Sequence, residues 1–318
     1  MNAPLQFNGL ASAVLPPRPL HLAIGMFDGV HLGHQSVIAA ALHSARRSGG
    51  LAGVLTFWPH PSRVFRPENP SLQLMPPDMK RRVLASLGVD FLIAQDFTAD
   101  FARTTAREFI AQLKQRLPAL AAVYVGENFR FGRGRAGDIP VLVAEAAQAG
   151  FAVFSAPRLN HNGAPISSSR LRALLAAGEI AEANTLLGYA YFAEGVVQPG
   201  RRLGHTLGFP TLNLPWEPEL KPCFGVYAVT VESASGAAVK GVANYGVRPT
   251  VETAGTVTPL LEVHLLEASA LTTGDRISVQ WRHFLRPEAK FSGLEELRQQ
   301  IRRDCDAARA FFAADGPA

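Results

Sequence analysis

Leu20-His21-Leu22-Ala23-Ile24-Gly25-Met26-Phe27-Asp28-Gly29-Val30-His31-Leu32-Gly33-His34 is the stretch on which the fold turns. Its first five residues are apolar enough for a buried parallel strand, because such strands are covered on both faces and read as continuous apolar runs. From His34 to Arg47 apolar residues recur at helical spacing, and Gly49-Gly50 ends the run. Gly25, Gly29 and Gly33 lie in the junction. Glycine permits tight turns and close approach of a ligand, while a helix start presents unpaired N–H groups and a positive dipole end. A phosphate suits that position. His31 and His34 are three residues apart, so in one helical turn they share a face and reach the same oxygens.

The pattern is neither the phosphate loop that ends in Gly-Lys-Ser/Thr nor the dinucleotide-binding fingerprint. Zinc is the rival reading for two close histidines, although Asp28 is the one carboxylate or thiol at short ligand spacing. Plain surface histidines would leave three clustered glycines unexplained.

Working outward, strands near 51–58, 89–96, 121–126 and 151–156 alternate with helices near 78–87, 104–117 and 139–149, which predicts a doubly wound parallel sheet. Ligands of such sheets sit beyond the carboxyl ends of the strands, where Gly25, Trp58 and Gly126 all fall. The loop from Gly126 to Gly137 sets Arg130, Arg133 and Arg135 among glycines and two phenylalanines, a composition able to stack a ring and neutralise phosphates. A solvated basic loop and an RNA-binding segment are its alternatives. Pro59-His60-Pro61 is rigid and poorly suited to helix. Ser167 is a natural N-cap for a helix through Arg170-Leu171-Arg172.

After a helical segment from Glu179 to Leu187, the period changes to two, with strands expected at 191–197, 225–233, 238–245, 259–266 and 276–285. That is the pattern of a small antiparallel β-barrel, covered by an amphipathic helix from Leu294 to Phe312 with Leu294, Leu297, Ile301 and Phe311 or Phe312 as packing residues. Two domains follow, 1–187 and 188–318. Thr211 and Asn213 are two apart, so in extended backbone both meet one metal-bound phosphate. In Leu260 to Leu266, Leu261, Val263 and Leu265 share one face and Glu262 and His264 the other.

At 318 residues and 47% hydrophobic, the chain has material for two cores. Cys223 and Cys305 are too few for a disulfide framework, the N-terminus lacks the form of a signal peptide, and no apolar run reaches membrane-spanning length. A cytoplasmic location is expected. The net charge of +5 suits nucleic acid, a membrane surface or phosphorylated small molecules alike.

Seven motifs, taken in order, resemble those of bacterial bifunctional riboflavin kinase/FMN adenylyltransferases over nearly the whole chain. They are Gly25 to His34, Thr56-Phe57-Trp58-Pro59-His60-Pro61, Gly126 to Gly132, Ile166 to Arg172, Gly208-Phe209-Pro210-Thr211-Leu212-Asn213, Arg248-Pro249-Thr250 and Leu261-Glu262-Val263-His264. The resemblance implies an α/β fold: an N-terminal nucleotidyltransferase domain with a doubly wound parallel sheet, then a riboflavin kinase-like β-barrel with a C-terminal helix. It implies conversion of riboflavin and ATP to FMN and ADP, then of FMN and ATP to FAD and pyrophosphate, with Mg²⁺ accompanying ATP.

On this resemblance His31 and His34 serve adenylyl transfer, and Glu262 is the general base toward the ribityl 5′-hydroxyl. ATP would meet Gly25, Phe27, Asp28, Gly33, Ser168, Ser169 and Arg172 in the first half, and a flap of Gly200, Gly204 and Gly208 in the second. Flavin would meet His60, Pro61, Asn128, Phe129, Arg130 and Phe131; Thr211 and Asn213 would hold the metal. Riboflavin, FMN, FAD and ATP are the expected partners, with no nucleic acid, no membrane and no predicted oligomer.

Departures from the family pattern gather in the barrel: Pro199 before Gly200, His205 for Arg, Leu212 for Ala, and Leu271-Thr272-Thr273-Gly274 in place of Asp-Leu-Tyr-Gly. They leave open a monofunctional FMN adenylyltransferase with a weakened kinase barrel. A non-enzymatic RNA- or flavin-binding protein is the more distant alternative.

Overall fold

Every residue of Leu20–Ile24 is buried, as a strand covered on both faces requires. The computed structural model describes residues 3–200, 203–233, 236, 238–247 and 259–314, without the side chains of 203, 205 and 247. Arg248-Pro249-Thr250 and the His205 side chain therefore lie outside the described residues. Contacts divide the chain into two units, Met1–Ser168 and Ser169–Ala318.

The first unit is built on a six-stranded sheet of β1 (Leu5–Asn8), β2 (Leu20–Ile24), β3 (Leu51–Trp58), β4 (Phe91–Asp96), β5 (Leu120–Gly126) and β6 (Ala152–Ala156). All pairings are parallel, in the order β1-β4-β3-β2-β5-β6. This is the expected doubly wound sheet, with one added edge strand, β1. The order reverses between β2 and β5, so the crevice for a ligand opens beyond their carboxyl ends. Helices α1 (Leu32–Ser48), α2 (Ser62–Phe65), α3 (Pro77–Ser86), α4 (Ala106–Arg116) and α5 (Ile139–Ala149) connect the strands.

Helix α1 buries Val37, Ile38, Ala41 and Ala45, a stripe at helical spacing, and stops at Gly49 in the left-handed region. Helix α4 begins with a reciprocal cap between Thr105 and Glu108. Leu22, Ile24, Phe91, Val123, Phe109 and Leu142 share one core cluster. A two-residue antiparallel pair, β7 (Asn160–His161) and β8 (Ala164–Pro165), leads to α6 (Ser168–Ala177) and α7 (Ile180–Leu187).

The division at 168/169 precedes the expected boundary at 187/188, because α6 and α7 are bonded into the second unit. Cys223 N–H donates to Leu175 O at 2.9 Å, and Asn184 Nδ2 donates to Trp281 O at 2.8 Å.

The second unit contains β9 (Phe192–Val196), a one-turn α8 (Leu203–Thr206), β10 (Thr211–Pro215), β11 (Gly225–Ser233), β12 (Ala238–Val247), β13 (Pro259–Leu265), β14 (Arg276–Pro287) and α9 (Leu294–Ala314). The strands form an antiparallel sheet in the order β10-β13-β12-β11-β14-β9. A bridge from Gln198 N–H to Asn213 O, at 2.8 Å, joins its two edges and closes the expected barrel. Strand β10 is one more than the period-two pattern suggested. Trp281 is fully buried inside, with Tyr191, Trp216, Tyr227 and Tyr245 around it at centroid distances of 4.4 to 6.1 Å.

Cys305, Ala308 and Phe312 of α9 pack on Val226, Ala228 and Val242, with Ile301 and Phe311 at the margin. Leu294, expected in that seam, is 59% exposed. The buried stripe begins later than hydropathy suggested, at Asp304 and Cys305, with Ile301 partly buried ahead of it.

Candidate active sites

In the first unit the loop leaving β2 is unusually bent. Phe27 and Val30 adopt φ of 47° and 38°, a region that non-glycine and especially β-branched residues rarely enter. Such conformations cost on the order of 1–3 kcal/mol each and persist where surrounding contacts over-determine them. Here Val30 N–H donates to Phe27 O, Gln35 Nε2 donates to Val30 O, and Leu74 N–H donates to the buried Asp28 carboxylate at 2.9 Å.

The bend delivers His31 to the N-cap of α1 and His34 to its first turn. Their rings stack, centroids 3.6 Å apart and planes 17° from parallel, with Phe27 edge-on to His34. A Cβ on Gly33 would stand 3.2 Å from the His31 ring, so glycine makes room for the stack. His34 N–H donates to His31 Nδ1. With Nδ1 accepting, the His31 proton resides on Nε2, a donor for a substrate oxygen.

Burial pushes His31 down to about 4, and burial with the nearby His31 and Lys80 holds His34 well below the usual histidine range. Both imidazoles are therefore neutral near pH 7. His34 Nδ1 is wholly buried and has no hydrogen-bond partner among the described residues. Among those residues no group of three or more His, Cys, Asp or Glu side chains is arranged to hold a metal. With His31 Nδ1 and the Asp28 carboxylate each accepting a backbone N–H, the donor set suits phosphate better than zinc.

Lys80 on α3 was not anticipated. It is 3% exposed, and its ammonium donates to Met26 O at 3.1 Å and to Thr56 Oγ1 at 3.2 Å. Burial lowers it to about 8, against the opposing pull of Asp28. The sequence cue was a lysine within the stripe Met79, Lys80, Val83 and Leu84, all of which are buried. Ser168 Oγ, at the start of α6, donates to Asp28 O at 2.9 Å. Ser169 and Arg172 follow in the first turns of α6, after the division between the units.

A cavity of about 620 Å³ opens beside Gly25 and Met26 and is lined by His60, Pro61, Asn128, Phe129, Arg130 and Phe131, the six residues expected to meet flavin. Its wall also contains Phe57, Phe65, Phe97, Phe101 and Phe109, which come from separate elements and carried no common sequence signal. Phe129 and Phe131 stack at 5.5 Å. Arg130 pairs with Asp138 at 3.2 Å, and Arg66 and Arg135 add charge to the lining. His60 is both a pocket residue and a bonded loop histidine, its Nδ1 lying 2.8 Å from Ser62 Oγ. A smaller cavity of about 320 Å³ lies between Ser36, Val37 and Ala40 of α1 and the ends of β5 and β6, with Pro157 and Leu159 beside it.

In the second unit Glu262 of β13 is the direct cross-strand partner of Asn213 on β10 and of Asn244 on β12. Leu261 and Val263 are fully buried on the opposite face, as the alternation required. Glu262 and His264 line a cavity of about 540 Å³ under α9, together with Asn244, Phe209 and Ile301. A neighbouring cavity of about 660 Å³ is lined by Gly200, Leu212 and the segment Leu271 to Thr273. Thr211 and Asn213 line both cavities and so stand between them.

A Cβ on Gly200 would lie 2.3 Å from Asn213 Nδ2, so this glycine admits the amide. Gly204 lines the first of the two cavities, and Gly208 has φ of 86°, in the left-handed region. Arg286 holds Asp304 of α9 through two bonds of 2.8 and 2.7 Å, tying the covering helix to β14.

Residues 16–170 match the family model for FAD synthetase, and residues 187–312 match that for riboflavin kinase. The bifunctional riboflavin kinase/FMN adenylyltransferase of Escherichia coli strain K12 is 38% identical over 297 residues, 93% of this chain and 94% of that protein. Its counterparts in Haemophilus influenzae and Bacillus subtilis are 36% and 35% identical, each over 92% of this chain and over 94% and 92% of their own lengths. A crystal structure described as a macrolide-efflux protein from Streptococcus pneumoniae is similar with a TM-score of 0.84 at 26% identity, covering 97% of this chain and 99% of that one. No helix among the described residues of this chain is long and apolar enough to cross a membrane. With an FAD synthetase match before the barrel, a riboflavin kinase match across it and relatives alike over nearly their whole length, the chain belongs to the bifunctional riboflavin kinase/FMN adenylyltransferases.

Proposed function

We propose that the two steps of flavin cofactor synthesis run at the two sites just described, with the residue roles that follow. In adenylyl transfer an oxygen of the FMN phosphate attacks the α-phosphorus of ATP, the bond to the β-phosphate breaks, and pyrophosphate leaves. This chemistry needs positioning and charge stabilisation rather than a covalent intermediate. Neutral His31 and His34 donate to phosphate oxygens at the start of α1, where the helix dipole adds to their effect. Gly25, Phe27, Asp28 and Gly33 shape that cradle, and Ser168, Ser169 and Arg172 meet the outer phosphates.

The isoalloxazine ring enters the aromatic cavity between His60-Pro61 and Asn128 to Phe131. The apolar cavity beside α1 and the ends of β5 and β6 takes the adenine, within reach of a triphosphate laid on the same helix start.

In the kinase step the ribityl 5′-hydroxyl attacks the γ-phosphorus, Glu262 accepts its proton, and ADP leaves. The observation that carries this reading is the place of Thr211 and Asn213 between a cavity holding Glu262 and one bordered by Gly200. Riboflavin occupies the first, whose lining includes Gly204, and ATP the second, which Gly200 borders. Mg²⁺, when bound, offsets charge on the triphosphate; the hydroxyl of Thr211 and the amide of Asn213 are the hard oxygen donors it prefers. We place the activity in the cytoplasm, with no nucleic acid or membrane partner, and take 187/188 as the functional boundary.

A chromatographic time course with Mg²⁺-ATP and either riboflavin or FMN tests the whole reading. FMN followed by FAD is expected from riboflavin, and FAD alone from FMN. FAD from FMN but none from riboflavin would instead mean that Leu212 and the altered 271–274 turn have disabled the barrel.

A further inference from the structure

A lysine ammonium is among the groups least often found inside a protein without a purpose, since removing it from water is costly unless it is paired and hydrogen-bonded. Lys80 is 3% exposed, and it lies against the loop that carries the imidazole pair, not against a random part of the core. Its ammonium donates to Met26 O, inside the bent segment, and to Thr56 Oγ1, which in turn donates to the same Met26 O at 2.9 Å. Asp28, in the same loop, faces it as the opposing charge, and Lys80 is close enough to His34 to disfavour a proton there.

We propose that Lys80 is a positioning residue for adenylyl transfer, a fixed positive charge held against the bent loop that pins Met26 and draws the triphosphate onto the start of α1. The inference rests on the reading of this site as the adenylyltransferase centre. Two effects come from one side chain. Its hydrogen bond to Met26 O pins the strained loop at the end where the chain leaves β2. Its charge acts across a dry interior, where screening is weak and an electrostatic contribution to the transition state is large. The charged group facing it is Asp28 from the loop, and among the two histidines its charge is felt at His34.

The support from titration is consistent with this arrangement. Although burial brings Lys80 down to about 8, it stays predominantly protonated at pH 7. Above about pH 8 the free enzyme loses that charge, so kcat/KM for FAD formation should fall there.

The test compares the full chain with Lys80→Met, which removes charge and hydrogen bonds, and Lys80→Gln, which removes charge but keeps an amide donor. FAD formation from FMN is followed alongside FMN formation from riboflavin in each preparation. Both variants should lose about thirtyfold or more in kcat for FAD, keep KM for FMN within about threefold, and leave the kinase step unchanged. Histidine NMR titration should show the His34 pKa rising in both, which a purely structural lysine would not cause, and the alkaline limb near pH 8 should disappear. Wild-type-like FAD formation by Lys80→Gln, or an unmoved His34 titration, would overturn the proposal while leaving the adenylyltransferase reading intact. Failure of the wild-type chain to form FAD would overturn both together.

Discussion

His31 and His34 stack with their centroids 3.6 Å apart, and the backbone N–H of the second donates to Nδ1 of the first. Two imidazoles in face-to-face contact repel if both are protonated, so the stack itself favours the neutral pair. Burial acts in the same direction.

Acid should therefore destabilise the first unit. His31 takes up a proton at about 4 in the fold but near 6.5 when unfolded, so between those values the unfolded chain binds more protons and stability falls as pH falls. The contribution of His31 is complete above the unfolded value and is lost by pH 4, a change of about 3 kcal/mol. Urea unfolding at pH 7 and pH 4.5 should show this loss in the wild type and a clearly smaller one in His31→Gln. Equal pH dependence in both would mean that His31 is already charged in the folded protein.

Glu262→Gln should remove the proton acceptor without changing the shape of the cavity. FMN formation from riboflavin is expected to fall by about 10² to 10⁴. FAD formation from supplied FMN should remain, since Glu262 lies in the barrel and the stacked histidines lie in the first unit. Loss of both activities in a folded variant would refute the assigned role.

Gly200→Ala sets a methyl group where Asn213 Nδ2 lies 2.3 Å from the ideal Cβ position. Either the amide or the backbone after β9 must shift, and in both cases the close contact of residue 200 with Asn213 is disturbed. The kinase step should weaken by about tenfold or more through this misplacement, with KM for ATP rising. Adenylyl transfer measured in the same sample supplies the internal control.

Asp304→Ala leaves Arg286 without its bidentate partner beneath α9. Breaking a buried pair costs about 3–5 kcal/mol, and the 21% exposure of the Arg286 side chain reduces this to about 2 kcal/mol. Thermal unfolding of the barrel should shift downward accordingly, together with its affinity for riboflavin, because Arg286 and Asp304 line the same cavity as Glu262. An unchanged melting temperature would show that Cys305, Ala308 and Phe312 hold the helix by themselves.

The local patterns were readable in advance for identifiable reasons. A continuous apolar run, a glycine junction and histidines three apart depend on neighbours in sequence, and each appears in β2, the bent loop and the start of α1. Alternation in Leu260 to Leu266 likewise set Glu262 opposite the buried Leu261 and Val263. Leu294 misled because hydropathy alone does not say where along α9 the barrel surface begins. The five phenylalanines that join the expected flavin residues, on β3, α2, α4 and the segment from Phe97 to Phe101, carry no spacing that relates them.

By itself, then, the sequence determined the α/β half and the barrel that follows, because periodicity and turn spacing are properties of adjacent residues. The tertiary structure decided the burial of the histidine pair, the burial of Lys80 against Met26 and Thr56, and the place of Thr211 and Asn213 between two cavities. Those features arise from desolvation and cross-strand register, which bring together residues such as Met26 and Lys80, or Asn213 and Glu262, that are far apart along the chain.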